Sequence, residues 1–142
     1  MSLDRIQAAI PHRPPMLLVD DIVSQTDDRI VARKTFRADE FFFQGHYPGF
    51  PLVPGVILCE AAMQAGAILL SRFVESGRGV PVATRLQDVK FKRMIRPDDT
   101  IEMDVVLKER LADAFFLTAK VTCESKVAVR FDFACTLASE LS

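Results

Sequence analysis

Two side chains suited to moving protons, His46 and Glu60, stand within one short segment, residues 41–64, FFFQGHYPGFPLVPGVILCEAAMQ. Imidazole has an ordinary pKa of about 6.5, so a histidine suits proton abstraction near neutrality. His46 follows Gly45 and precedes Tyr47-Pro48-Gly49, and a loop stiffened in this way fixes the direction of the ring. The plain alternative is a structural histidine hydrogen-bonded to backbone, and Glu60 weighs against it. Its carboxyl group sits in the middle of an apolar run. Burying an unpaired carboxylate is expensive, so the group must be paired, protonated or turned toward a polar cavity. In its protonated form it would be a proton donor. Gln64 lies one helical turn further along the same face and can orient the carboxyl by a hydrogen bond. The competing reading is an ion pair between Glu60 and an arginine such as Arg13 or Arg93. Gly55 completes the set. At a helix N-terminus the first amides lack intrahelical partners and carry the positive end of the dipole, and a residue without a side chain lets a carbonyl oxygen approach. Negative charge developing on that oxygen would be stabilised. Base, acid and oxyanion donor together suit removal of a proton next to a carbonyl with loss of a neighbouring hydroxyl.

Such a site needs elements to hold it. Residues 4–10 predict a short helix stopped by Pro11, and Pro14 and Pro15 force an extended approach to a strand over 16–23. Asp27 and Asp28 mark a turn. Residues 29–36 alternate, with Ile30, Ala32, Lys34 and Phe36 on one face, which predicts a hairpin with the preceding strand. Residues 38–54, with Gly45, Pro48, Gly49, Pro51 and Pro54, form a stiff irregular loop. Pro54 and Gly55 then open a helix that runs to about residue 75, before Gly77 and Gly79. Residues 56–70 are apolar on nearly every side, so this helix must be wrapped. Four strands supply the wrapper: residues 83–91, 100–108, 115–123 and 127–137, punctuated by turns at 97–99, 112–113 and 124–126. Phe131, Phe133 and Cys135 share a parity opposite to Arg130 and Asp132. The order predicts an α+β fold, a curled antiparallel sheet wrapped around a long central helix.

Composition narrows the function. A chain of 142 residues fits one domain, residues 1–142, with a core that needs neither disulfide nor metal. A net charge of −1 gives no global steering toward nucleic acid or membrane. The longest apolar run, 56–70, falls short of the roughly 18 residues of a membrane span and contains Glu60 and Gln64, so it reads as a buried helix. Cys59, Cys123 and Cys135 are odd in number and not spaced as metal ligands, which suits free thiols in a reducing cytosol; no signal segment opens the chain, and the expected location is cytoplasmic. With two histidines and scattered cysteines, a zinc site lacks ligands.

The order QGHYPGFPLVPGV at 44–56, followed by EAAMQ at 60–64, resembles the signature of the bacterial 3-hydroxyacyl-[acyl-carrier-protein] dehydratases of type II fatty acid synthesis. PHRPPMLLVD at 11–20 and KFKRMIRPDD at 90–99 are similar to further stretches of that family, so the resemblance covers nearly the whole chain. It implies a hot-dog fold and a homodimer that commonly assembles to a hexamer as a trimer of dimers. It implies no cofactor and no metal. The reaction implied is a hydro-lyase step, conversion of a (3R)-hydroxyacyl thioester on acyl carrier protein to the trans-2-enoyl product. The family's catalytic histidine falls on His46, its acid on Glu60, and the amide that polarises the thioester carbonyl on Gly55, with the catalytic pair meeting across the dimer interface. A variant mechanism in which His46 handles both protons and Glu60 positions a water stays open. Tyr47 stands where phenylalanine is usual and Phe50 where a basic or polar residue is common, which bears on chain length and local charge. Glutamate rather than aspartate as the acid favours the plain dehydratase branch over the dehydratase-isomerase branch.

Three further signals have two readings each. His12 fits a structural residue in the proline-rich approach. Phe41, Phe42 and Phe43 line an acyl tunnel or pack the core. Lys90, Lys92, Arg93 and Arg96 form a solvated strand face or receive an acidic carrier protein and its phosphopantetheine phosphate. Two rival functions use the same fold. A hot-dog acyl thioesterase would release free thiol, and a non-catalytic acyl-binding member would turn over nothing, against which the presence of both His46 and Glu60 speaks.

Overall fold

The computed structural model describes residues 2–74 and 79–138. A short helix α1 (Ser2–Ala9) is followed by strands β1 (Asp21–Gln25) and β2 (Arg29–Thr35), a 3-10 turn at Phe41–Gln44, the long helix α2 (Gly55–Leu70) with a 3-10 extension at Ser71–Phe73, and strands β3 (Val80–Phe91), β4 (Thr100–Leu111), β5 (Ala114–Cys123) and β6 (Lys126–Ala138). All strand pairs are antiparallel, in the order β1-β2-β4-β5-β6-β3, and α2 packs against the sheet.

The inward parity of the strands is the expected one. Ile30, Ala32, Lys34 and Phe36 are buried, as are Phe131, Phe133 and Cys135, while Arg130 is exposed. Buried phenylalanines of this kind each contribute about 1.5–3 kcal/mol. Helix α2 meets this surface with small residues, Ala61, Ala62, Ala65, Gly66 and Ala67, so the sheet can close over it. Gly66 marks the tightest approach: a Cβ there would lie 2.8 Å from the Phe133 ring.

Three stretches differ from the sequence expectation in ways that bear on the site. The strand expected over 16–23 is confined to Asp21–Gln25, because the preceding backbone is spent elsewhere. Met16 and Leu17 donate their amides to the Arg13 carbonyl, and Leu18 donates to the Gln64 side chain. The loop over 38–54 contains the 3-10 turn, where Phe42 and Phe43 dive into the core. Helix α2 ends at Leu70, short of the residue near 75 expected for it, because Ser71 bonds back to the Ile68 carbonyl through both its amide and its hydroxyl and tightens the last turn. Residues 75–78, Gly77 among them, lie outside the described residues. Counted with its 3-10 extension, Gly55–Phe73 is 19 residues, longer than the apolar run read from sequence and long enough by length and composition to cross a membrane; it is instead mostly buried inside the sheet.

Candidate functional site

His46 stands just beyond the 3-10 turn Phe41–Gln44. The loop is shaped by Tyr47, whose backbone is left-handed at φ 53, and by the Phe50 amide donating to the Tyr47 carbonyl at 2.8 Å. The ring lies 4.5 Å, centroid to centroid, from that of Tyr47. Its Nδ1 is 3.0 Å from the Leu52 carbonyl oxygen. A carbonyl only accepts, so Nδ1 carries the hydrogen and the neutral ring keeps a lone pair on Nε2. The backbone bond that a purely structural histidine would make therefore also leaves the other nitrogen able to accept a proton. His46 opens on a cleft of about 340 Å³ shared with Tyr47, Leu52, Gly55, Phe91 and Arg93 among others.

Gly55 is the first residue of α2, and its amide has no acceptor within the helix. A Cβ there would lie 2.6 Å from the Phe91 ring, so only glycine lets this ring lie against the helix start. His46 and Gly55 thus face one cleft, as the sequence suggested.

Glu60 faces elsewhere, and does not line that cleft. Its side chain is 30% exposed, and its Oε2 accepts from Gln64 Nε2 at 2.9 Å, the hydrogen bond expected from their spacing. Gln64 is itself almost fully buried. Its Oε1 accepts the Leu18 amide at 2.7 Å, and its Nε2 also donates to the Met16 carbonyl at 2.8 Å. Among the described residues no arginine pairs with Glu60: Arg13 donates to the carbonyls of Gln7, Ile10 and His12, and Arg93 is 4.0 Å from Glu124. The neighbour is His12, whose Nε2 lies 3.7 Å from Glu60 Oε2. Sequence reasoning read His12 as structural and missed this contact. The available signal was its place in PHRPPM, since the proline-bounded segment that carries it also supplies the backbone partners of Gln64.

The basic run does not form one face. Lys90 pairs in register with Arg130, on the outer side of the sheet, whereas Phe91 pairs with the buried Val129 on the inner side. Arg93 lines the His46 cleft, and Arg96 stacks on Phe50 at 5.3 Å. Lys92 is exposed, its amide bonded to the Ala128 carbonyl. Of the three phenylalanines, Phe42 and Phe43 pack the core and none lines the cleft. Burial pushes the Cys59 and Cys135 thiols up to about 11, which makes them unreactive.

A loop histidine with Nε2 free to accept a proton, an open helix N-terminus on the same cleft and a carboxyl group further along that helix are carried by a sheet curled around the helix, the hot-dog fold. Among solved structures, the dehydratase heterocomplex ApeI:P from Xenorhabdus doucetiae superposes with a TM-score of 0.82 over 95% of this chain and 91% of that one, at 14% identity, a likeness of fold. Residues 10–132 match the family described as the FabA-like domain, and the chain belongs to that family. Its relatives include the 3-hydroxyacyl-[acyl-carrier-protein] dehydratase FabZ of Clostridium perfringens (strain SM101 / Type A), 37% identical over 90% of this chain and 92% of that protein. The FabZ of Syntrophobacter fumaroxidans is 34% identical over 100% of this chain and 97% of its own length.

Proposed function

We propose that the chain dehydrates (3R)-hydroxyacyl groups carried on acyl carrier protein, with His46 as base, Glu60 as acid and the Gly55 amide as the donor to the thioester carbonyl. The chain is a 3-hydroxyacyl-[acyl-carrier-protein] dehydratase, a hydro-lyase of fatty acid biosynthesis. The observation that carries the residue roles is the His46 Nδ1–H bond to Leu52, which leaves Nε2 free beside Gly55. In the step, Nε2 takes the proton alpha to the thioester while the Gly55 amide holds the carbonyl oxygen as charge builds on it. The electron pair becomes the carbon–carbon double bond, and the C–O bond breaks. The hydroxyl leaves with the proton of Glu60 as water. Protonated His46 and ionised Glu60 remain, and a proton passed between them through water resets the site. The elimination as written needs only protons, so no cofactor or metal enters it.

Glu60 turns away from the cleft that holds His46, which supports a site shared by two copies of the chain. Strand β3 is an edge strand of 12 residues with Val82, Leu86 and Phe91 exposed along it. An edge of this length and character invites pairing. We place a second copy there, as a homodimer in which each site takes His46 and Gly55 from one chain and Glu60 and Gln64 from the other, with three dimers forming a hexamer. Residues 1–142 act as a single domain in this reading. A cytoplasmic location belongs to the same proposal and is supported by three free, buried cysteines.

Co-expression of His46→Ala and Glu60→Gln chains tests it. In a mixed dimer one site carries both defects and the other neither, so random pairing should restore about a quarter of wild-type sites. Enoyl formation is followed by thioester absorbance, and free thiol is assayed in parallel. Absence of recovery in verified mixed dimers would overturn the shared site, and thiol release in place of enoyl product would mark a thioesterase.

A further inference from the structure

His12 takes no part in the reaction as written, yet its ring lies against the acid. Nε2 is 3.7 Å from Glu60 Oε2, and Nδ1 is buried with no hydrogen-bond partner among the described residues. A neutral imidazole carries one N–H and one lone pair. A buried N–H without an acceptor is rarer and costlier than an unused acceptor, so the orphan Nδ1 keeps the lone pair and the hydrogen sits on Nε2, toward Glu60. Gln64 has nothing more to offer the carboxyl: its two amide hydrogens go to Met16 and Glu60, and its oxygen is taken by Leu18. The Nε2–H of His12 is the remaining donor beside Oε2 among the described residues. At 3.7 Å it is too long for a hydrogen bond, and the Oε2 beside it already accepts from Gln64. Once the proton has gone to the leaving hydroxyl, the carboxylate attracts this donor, and a movement of about 1 Å closes a charge-assisted bond.

We propose that His12 is a positioning residue that acts through Glu60, stabilising the carboxylate formed as Glu60 protonates the leaving hydroxyl. This rests on the reading of Glu60 as the acid. Because the bond closes only as charge develops, it lowers the barrier without strengthening substrate binding, and its loss shows in kcat rather than KM.

The test uses His12→Phe, which keeps a ring without a donor, and His12→Gln, whose amide reaches the Nε2 position, each alone and combined with Glu60→Gln, on a hydroxyacyl-pantetheine substrate. His12→Phe should lower kcat about 10- to 100-fold, the worth of one hydrogen bond to a charged group, with KM within about twofold. His12→Gln should recover most of the loss. In the Glu60→Gln background His12→Phe should add nothing, since the charge it serves no longer forms. If His12→Phe does not fold, His12→Asn, whose amide is too short to reach Glu60, takes its place against His12→Gln. A kcat within about twofold of wild type, equal losses in the donor and non-donor variants, or an undiminished effect in the Glu60→Gln background would overturn the inference. Wild-type activity in Glu60→Gln alone would overturn the reading of Glu60 instead, and the inference with it.

Discussion

Gln64 fixes how the Glu60 carboxyl group is held. The Leu18 amide occupies the Gln64 oxygen, so the amide nitrogen must face Glu60 Oε2, and that oxygen must accept. Gln64 leaves Oε1 free, and under the proposed role of Glu60 as acid this is the oxygen from which the proton would leave. His46→Ala and Glu60→Gln should each lower turnover about 100- to 10,000-fold while leaving the far-ultraviolet circular dichroism unchanged. A variant within tenfold of wild type would lose its place in the mechanism. Gly55→Ala should also lower kcat, because the new methyl group meets Phe91 at 2.6 Å and pushes the ring into the cleft. Phe91→Leu in the same chain should restore part of that activity by vacating the space; no restoration would mean that Phe91 is not what the methyl group strikes.

At the scale of elements, β2 and the approach to the His46 loop are joined by an ion cluster around the buried Lys34. Lys34, 6% exposed, reaches Glu40 at 2.8 Å and Asp20 at 3.6 Å. Glu40 accepts from the Arg37 amide, and Asp20 from the Thr35 amide. Removing one partner of a buried pair leaves the other uncompensated, so Lys34→Met should cost on the order of 3 kcal/mol in urea unfolding. Lys34→Met combined with Glu40→Gln should cost less than Lys34→Met alone. Between helix and sheet, burial raises the Cys59 and Cys135 thiols from 9.0 to about 11. A thiol that ionises later in the folded than in the unfolded chain contributes stability that is complete below about pH 9 and is lost as pH rises toward 11. The urea midpoint should therefore fall across that window, and fall less in a Cys59→Ala, Cys135→Ala chain. Parallel curves for the two proteins would refute the assignment.

For the whole molecule, near-zero net charge leaves recognition of an acidic carrier to local cations. Arg93 and Arg96 flank the cleft and its loop, while Lys90 sits on the outer side of the sheet. Charge reversal at Arg93 and Arg96 should raise KM for a carrier-linked substrate far more than for a pantetheine analogue, and added salt should shrink the difference. Reversal at Lys90 should do little. Equal losses on both substrates would point to damage in the cleft rather than to docking.

Periodicity was enough to read the wrapped helix and the inward faces of its strands, because an all-apolar helix admits no solvent face and alternation leaves each strand one inner side. The segment from Gln44 to Gln64 likewise determined the candidate base, the open helix N-terminus and the Glu60–Gln64 bond, all of which depend on local spacing. The basic run was misread as one face because β3 ends at Phe91: Lys90 alone belongs to the strand, and Lys92, Arg93 and Arg96 follow it, where strand alternation no longer sets direction. Only the tertiary structure could bring residues 12–18 against α2. Met16 and Gln64 are 48 residues apart, and no local pattern records that the backbone of this segment, freed from strand pairing by its prolines, locks Gln64 and brings His12 to Glu60. That Glu60 faces away from Gly55 is local helix geometry, since five residues at 3.6 per turn carry it about 140° around α2; that the loop lays His46 on the Gly55 side was decided by the tertiary structure.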